Sequence, residues 1–254
     1  MPTNKKRYLI FVNHHDIIFI LHTTYIQEDV IGVSVNSLKE KAYQIIKEKI
    51  VSCEYPPNTF LNENILQKEI GVSRTPIRDA IGRLEQENLV KIIPKKGIVV
   101  SDLSINEISS IYEVRLLIEP FAIKHYANKI DKAILLNYKN YYSQDHSFES
   151  VDKIYQIDDK IHHIFISATQ NKYLIQTYDN IQVQNRRIRI LSGKRIEERM
   201  RKSNQEHIRI LDAVMADQFE QAAQYMTEHL QNAKKAAFSL IISNGGWDYP
   251  SQYS

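Results

Sequence analysis

With 254 residues, 43% of them apolar and 25% charged, the chain has ordinary globular composition and is long enough for two modest domains. A formal net charge of +3 is too small for a global field to draw nucleic acid, so any such site must come from local clustering of Lys and Arg. The single cysteine, Cys53, excludes an internal disulfide and a cysteine-cluster metal site and fits a reducing compartment, the cytoplasm; seven glycines and seven prolines predict long helices, a mainly α fold.

Residues 1–34 form an amino-terminal extension in which "KKRYLIFVNHHDIIFILHTTYI" has the outline of a signal peptide or membrane anchor. His14, His15 and Asp16 interrupt the apolar run where a bilayer centre would be, and one Asp there costs roughly 2.5–3.5 kcal/mol. No small-residue cleavage site follows, so no membrane association is expected. The remaining readings are a poorly ordered tail, an accessory element, or translation from a start codon set too early.

Residues 35–103 read as a winged helix-turn-helix. "LKEKAYQIIKEKIVS" places Leu38, Ala42, Ile45, Ile46 and Ile50 at helical spacing before "YPPN" stops the helix. Asn62 is expected to cap a second helix, "ENILQKEI", Gly71 and Val72 to turn, and Ser73 to cap a third helix, "RTPIRDAIGRLEQE", with Pro76 in its first turn. Asn88 is expected to end that helix in the left-handed conformation. "LVKIIPKKGIVVSDL" then predicts two short strands with Pro94 to Gly97 as the tip between them.

Arg74 and Arg78 lie one turn apart at the start of the third helix, where both guanidinium groups can fork onto guanine edges or phosphates. The Thr75 hydroxyl suits phosphate, and Lys95 and Lys96 of the tip would add backbone contacts. Six bases face three acids between residues 71 and 97, a local excess of positive charge.

Residues 104–243 turn to helical periods, about six helices in all, starting with "INEISSIYEVRLLIEPFAIKHYA"; the fifth is expected over "NQEHIRILDAVMA", and 244–254 form a tail. Within "IYQIDDKIHHIFISATQN", two Asp-x-x-x-His pairs overlap. At about 100° per residue, Asp158 and His162 fall at the edge of the isoleucine stripe, while Asp159 and His163 point about 100° further round, toward water. His207 precedes Ile210, Leu211 and Val214 at helical spacing, and His229 lies on the stripe of Phe219, Ala223 and Leu230. Three buried imidazoles and a carboxylate are costly unless satisfied, and a divalent transition metal (Zn, Ni, Mn or Fe) resolves that cost.

"GVSRTPIRDAIGRLEQENLVKIIPKKGIVVSDLS" resembles the DNA-binding domain of the GntR family of bacterial transcriptional regulators. The resemblance implies operator contacts from Arg74, Thr75, Arg78, a second-helix residue and the wing tip around Gly97. Asn64 stands where family members often carry an arginine, and "CEYPPN" replaces the usual Gly-x-x-x-Pro-Gly. The remainder resembles the FCD effector domain of the FadR subfamily, whose metal commonly sits on an Asp and three His. Carried over, these are Asp158, His162, His207 and His229, with Asn171 in the motif's Asn position and Ile161 in place of its usual aromatic. Arg115 and Glu119 match a further FCD pattern; Arg115 either reaches a carboxylate effector or forms a structural salt bridge.

These features together imply a cytoplasmic homodimeric repressor that binds double-stranded operator DNA and senses a small carboxylate. It is not expected to be an enzyme. The rivals are a metal-dependent hydrolase using the Asp and His₃ set, and a regulator whose metal is purely structural.

Overall fold

A computed structural model describes residues 35–144, 149–191 and 197–243. The readings made for 1–34 and for the tail from 244 lie outside the described residues. None of the described helices is long and apolar enough to cross a membrane.

The amino-terminal part folds as α1 (Val35–Val51), β1 (Phe60–Leu61), α2 (Glu63–Ile70), α3 (Arg74–Gln86), β2 (Val90–Ile93) and β3 (Gly97–Val100). Ala42, Ile46 and Ile50 of α1 are fully buried against Ile77, Ile81 and Leu84 of α3, the stripe expected from spacing. Each such Ile or Leu contributes roughly 1.5–3 kcal/mol on leaving water. The Asn62 carboxamide accepts from the Asn64 and Ile65 amides at 2.9 and 3.4 Å, and Gly71 ends α2 at φ 73°.

Two local readings are corrected. Ser73 occupies the N-cap position of α3, but its side chain makes no capping bond, so the first-turn amides are not taken by it. The sheet has three strands rather than two, in the order β1-β3-β2, because Phe60 and Leu61 pair with Val99 and Ile98. Asn88 does adopt the left-handed conformation after α3, at φ 58°.

Six further α-helices follow among the described residues: α4 (Ile105–Tyr126), α5 (Lys132–Tyr142), α6 (Val151–Ser167), α7 (Lys172–Leu191), α8 (Glu197–Met215) and α9 (Phe219–Ser243). Helices α4, α5, α6, α8 and α9 share a core built from Ile123, Leu135, Ile161, Phe165, Leu211, Met226 and Leu230, while α7 buries Tyr178 and Ile188 in smaller clusters. Helix α8 starts seven residues before the expected Asn204. Its first two turns, "EERMRKS", carry charge rather than an apolar stripe, which is why periodicity passes over them. Asn171 caps α7, its carboxamide accepting from the Tyr173 and Leu174 amides at 3.0 and 3.4 Å, so the motif asparagine is the start signal of this helix.

Helix α7 is also where the two parts meet. Val183 packs against the core of the amino-terminal part, and the buried Cys53 lies with Sγ 3.9 Å from the Arg187 carbonyl.

Candidate metal centre and nucleic-acid interface

His162 from the middle of α6, His207 from α8 and His229 from α9 are all buried, and one ring nitrogen of each lies within 4.8 Å of the others. The His162 and His207 Nε2 atoms are 3.2 Å apart. Asp158 approaches from one side, with Oδ1 3.3 Å from His207 Nε2 and Oδ2 3.9 Å from His162 Nε2. Its other interaction is an ion pair with Arg189 of α7. Burial alone would raise the Asp158 pKa, but Arg189, then the three imidazoles, hold it well below the ordinary carboxylate value.

Two carboxylates fix the tautomers of His162 and His229. Glu119 on α4 is fully buried; its Oε1 accepts from Arg115 Nε at 2.6 Å and its Oε2 from His162 Nδ1 at 2.5 Å. Against the upward push of burial, Arg115 and His162 hold its pKa at about 2, so it remains an acceptor. Glu206 on α8 accepts from His229 Nδ1 at 2.7 Å and from Arg199 and Asn232 at 2.8 and 2.9 Å. Carboxylates accept only, so both Nδ1 atoms carry the proton and both Nε2 atoms turn toward the cluster as lone pairs.

Burial, then repulsion from His162, brings the His229 pKa down to about 4; burial also pushes His207 far below its ordinary value, against the pull of Asp158. Imidazole nitrogens converging from three helices beside a carboxylate are what a cation needs. The donor set therefore fits a divalent transition metal.

Glu119→Gln should weaken Zn²⁺ binding about 10–100-fold, the usual cost of an outer-shell partner, read by competition with a chromophoric chelator. An unchanged affinity would remove Glu119 from this centre.

The overlapping motif separates, with one correction. The Asp158 side chain is 13% and the Asp159 side chain 24% exposed, whereas His163 is 42% exposed. Asp159 is therefore not on a solvated face: Arg189 Nη1 donates to its Oδ1 at 2.7 Å, and it shares that arginine with Asp158. His163 does face outward, bonded to Asp179 at 3.0 Å and to the Ser167 hydroxyl at 2.9 Å. The rotation argument fails at 159 because it counts one helix, and the partner arrives from α7.

A cavity of about 450 Å³ opens beside the histidines, with His229, Asp158, Arg115, Arg199 and the apolar walls Tyr112 and Ile188 among its lining. Arg115 forms the salt bridge of its open reading, pairing with Glu119 through Nε, while its Nη2 is buried without a hydrogen-bond partner. Glu119, Glu206, Arg189 and Arg199 were not singled out as site residues from sequence. The available signals were the i, i+4 spacing of Arg115 and Glu119 and the adjacency of Glu206 to His207, both common on ordinary helix surfaces.

At the other end of the molecule, Asn64, Arg74, Thr75, Arg78, Lys95, Lys96 and Gly97 are all exposed. Arg74 Nη2 donates to Asn64 Oδ1 at 3.1 Å, and Arg78 Nε donates to both Glu63 oxygens at 3.1 and 3.2 Å. Arg74 also lies 3.8 Å from Glu63, so one acid at the start of α2 holds both arginines. The wing turns through Lys95 at φ 64° and Gly97 at φ 111°, the second a conformation that glycine alone adopts readily. Lys95, Lys96 and Gly97 share a groove with Phe60 and Glu63, which joins the wing tip to the start of α2.

Comparison with known proteins agrees with both halves. The model "Bacterial regulatory proteins, gntR family" matches residues 38–100, and "FCD domain" matches residues 110–232. The HTH-type transcriptional repressor RspR of Escherichia coli is 24% identical over 213 residues, which cover 83% of this chain and 93% of that protein. The gluconate operon transcriptional repressor of Bacillus subtilis is 29% identical over 175 residues, 67% of this chain and 70% of that one. Among solved structures, a GntR-type regulator from Rhodococcus sp. RHA1 superposes with a TM-score of 0.68 at 18% identity, covering 80% of this chain and 98% of its own.

Proposed function

Because this chain belongs to the GntR family of bacterial transcriptional regulators and carries an FCD domain, we propose that it is a cytoplasmic, effector-responsive repressor whose helical domain uses a metal to sense a small carboxylate. The observation that carries this reading is the cluster of His162, His207 and His229 opening, with Asp158, onto a cavity that also holds an unpartnered guanidinium nitrogen of Arg115. Zn, Ni, Mn or Fe(II) suits three imidazole nitrogens and a carboxylate oxygen. Bound there, the cation would supply a Lewis-acidic anchor for the effector.

The chain's own residues do the rest. Glu119 and Glu206 hold His162 and His229 in register, and Arg189 holds Asp158. Arg115 Nη2 offers a donor to the effector carboxylate, and Tyr112 and Ile188 exclude water from its hydrocarbon part. In the DNA-reading head, Arg74, Thr75, Arg78 and Asn64 address the major groove, and Lys95, Lys96 and Gly97 the backbone. Leu117 and Phe121, 69% and 43% exposed one turn apart on α4, support pairing of two copies, which a two-fold operator requires. Repression is supported by the names of the two relatives above.

The hydrolase reading is disfavoured by a specific feature. A general base works best with a pKa near the operating pH, yet the carboxylates next to the histidines, Glu119 and Glu206, sit at about 2 and are both paired with arginine.

Calorimetry on metal-stripped full-length protein, first with Zn²⁺ and then with a panel of small carboxylates, tests the proposal alongside anisotropy on DNA selected by the protein from a genomic library. One metal per chain, and a carboxylate that changes DNA affinity, are expected. Metal uptake with no carboxylate response would leave only a structural site.

A further inference from the structure

Two arginines lie two positions apart on α7, a rotation of about 200° that sends them to opposite sides of the helix. Arg189 reaches the candidate metal centre and grips Asp158 and Asp159. Arg187, fully buried, reaches the DNA-reading head instead. Its Nη2 donates to the Ser101 carbonyl at 2.7 Å, and its Nη1 donates to Gln184 Oε1 at 2.7 Å. Gln184 Nε2 in turn donates to the Asn88 carbonyl at 3.1 Å.

Both receiving carbonyls stand at mechanically informative places. Asn88 follows the end of α3, the helix that carries Arg74 and Arg78, and Ser101 follows β3, the inner strand of the wing. The Ser101 amide bonds the Leu89 carbonyl at 2.9 Å, which ties the two places together. Between the arginines, Ile188 is buried with Leu103 and Tyr112, so α7 is wedged from a third direction by the link between the two parts and by a wall of the effector cavity. A packed helix moves as a unit, so a shift that repositions Arg189 must also displace Arg187.

From this we infer that Arg187 is the positioning residue that sets the seat of the DNA-reading head on the sensor, with α7 carrying the state of the histidine cluster to it. The inference rests on the metal-sensing reading above. It identifies a two-ended physical element rather than a chain of neighbours, which is the requirement for coupling between two sites.

Hydrogen exchange on the full-length protein, metal-stripped and Zn²⁺-loaded, tests it. In the wild type, Zn²⁺ should slow exchange in α6, α8 and α9 and also in the backbone from 84 to 101. Arg187→Met keeps the aliphatic stem and removes the donors; it should retain the protection of α6, α8 and α9 and its Zn²⁺ affinity while losing the response at 84–101. Arg187→Lys, which keeps one donor for Ser101, should restore part of that response. Gln184→Leu, which leaves the buried charge in place, should weaken the response at 84–89 and serves if the methionine variant does not fold. A response at 84–101 in Arg187→Met equal to the wild type would overturn the inference. So would wild-type protection confined to α6, α8 and α9, although the metal centre would then stand. No protection anywhere would overturn both readings.

Discussion

His207→Ala is expected to cost the protein its metal and its effector response together, with Zn²⁺ affinity falling by more than the 10–100-fold typical of an outer-shell loss. His207 has the central place in the cluster: its Nε2 lies 3.2 Å from His162 Nε2 and 3.3 Å from Asp158 Oδ1, and its ring stacks on Tyr142 with centroids 4.7 Å apart. Each lost decade of affinity corresponds to about 1.4 kcal/mol. The doubled motif supplies the control: His163→Ala, on the outward face, should change affinity by no more than about 0.5 kcal/mol. Metal content after dialysis and competition with a chelator read both variants. If His207→Ala retained wild-type metal and carboxylate response, the assigned centre would be wrong; if His163→Ala matched its loss, the ligand pair would be the other one.

The second large effect concerns DNA. Arg78→Ala should weaken binding to the selected operator by about 1–3 kcal/mol if the guanidinium reads a base edge, and should relax preference at that base pair. If it meets a phosphate instead, binding should weaken evenly across sequences and the salt slope should fall by about one. Arg74→Ala is expected to behave in one of the same two ways. Arg78→Ala carries an additional penalty, because Glu63 loses the closer of its two arginine partners, keeps only Arg74 at 3.8 Å, and faces the phosphates as a less well matched charge. Adding Glu63→Gln to Arg78→Ala should therefore recover part of the lost affinity. Anisotropy at two salt concentrations separates the cases, and unaltered binding in both arginine variants would remove α3 from the interface.

How much of this was legible in the sequence follows from which interactions are local. The helices of the head are written in apolar spacing and in punctuation by Asn62, Gly71 and Asn88, all of which act within a turn or two of themselves. His162, His207 and His229 were visible because each leads or shares an apolar stripe on its own helix. The rest depends on neighbours that no single helix reveals. Strand β1 has two residues, too few to show a period of two. Asp159 looked solvated until α7 brought Arg189 to it, and Glu119 was legible only beside Arg115, as one side of a structural salt bridge, until α6 placed His162 against its other oxygen. Ser73 had the right residue type and position for a cap, but the hydroxyl does not make the bond.

Cys53, buried beside the Arg187 carbonyl, has a further chemical consequence. Burial pushes its thiol pKa up to about 11, with Arg187 opposing only in part, so at neutral pH there is almost no thiolate. Thiolate is the form that captures soft metals and reacts with peroxides. A chain whose only sulfhydryl is masked in this way offers little thiolate to a soft metal or to peroxide, so the junction between head and sensor is poorly suited to redox sensing through Cys53.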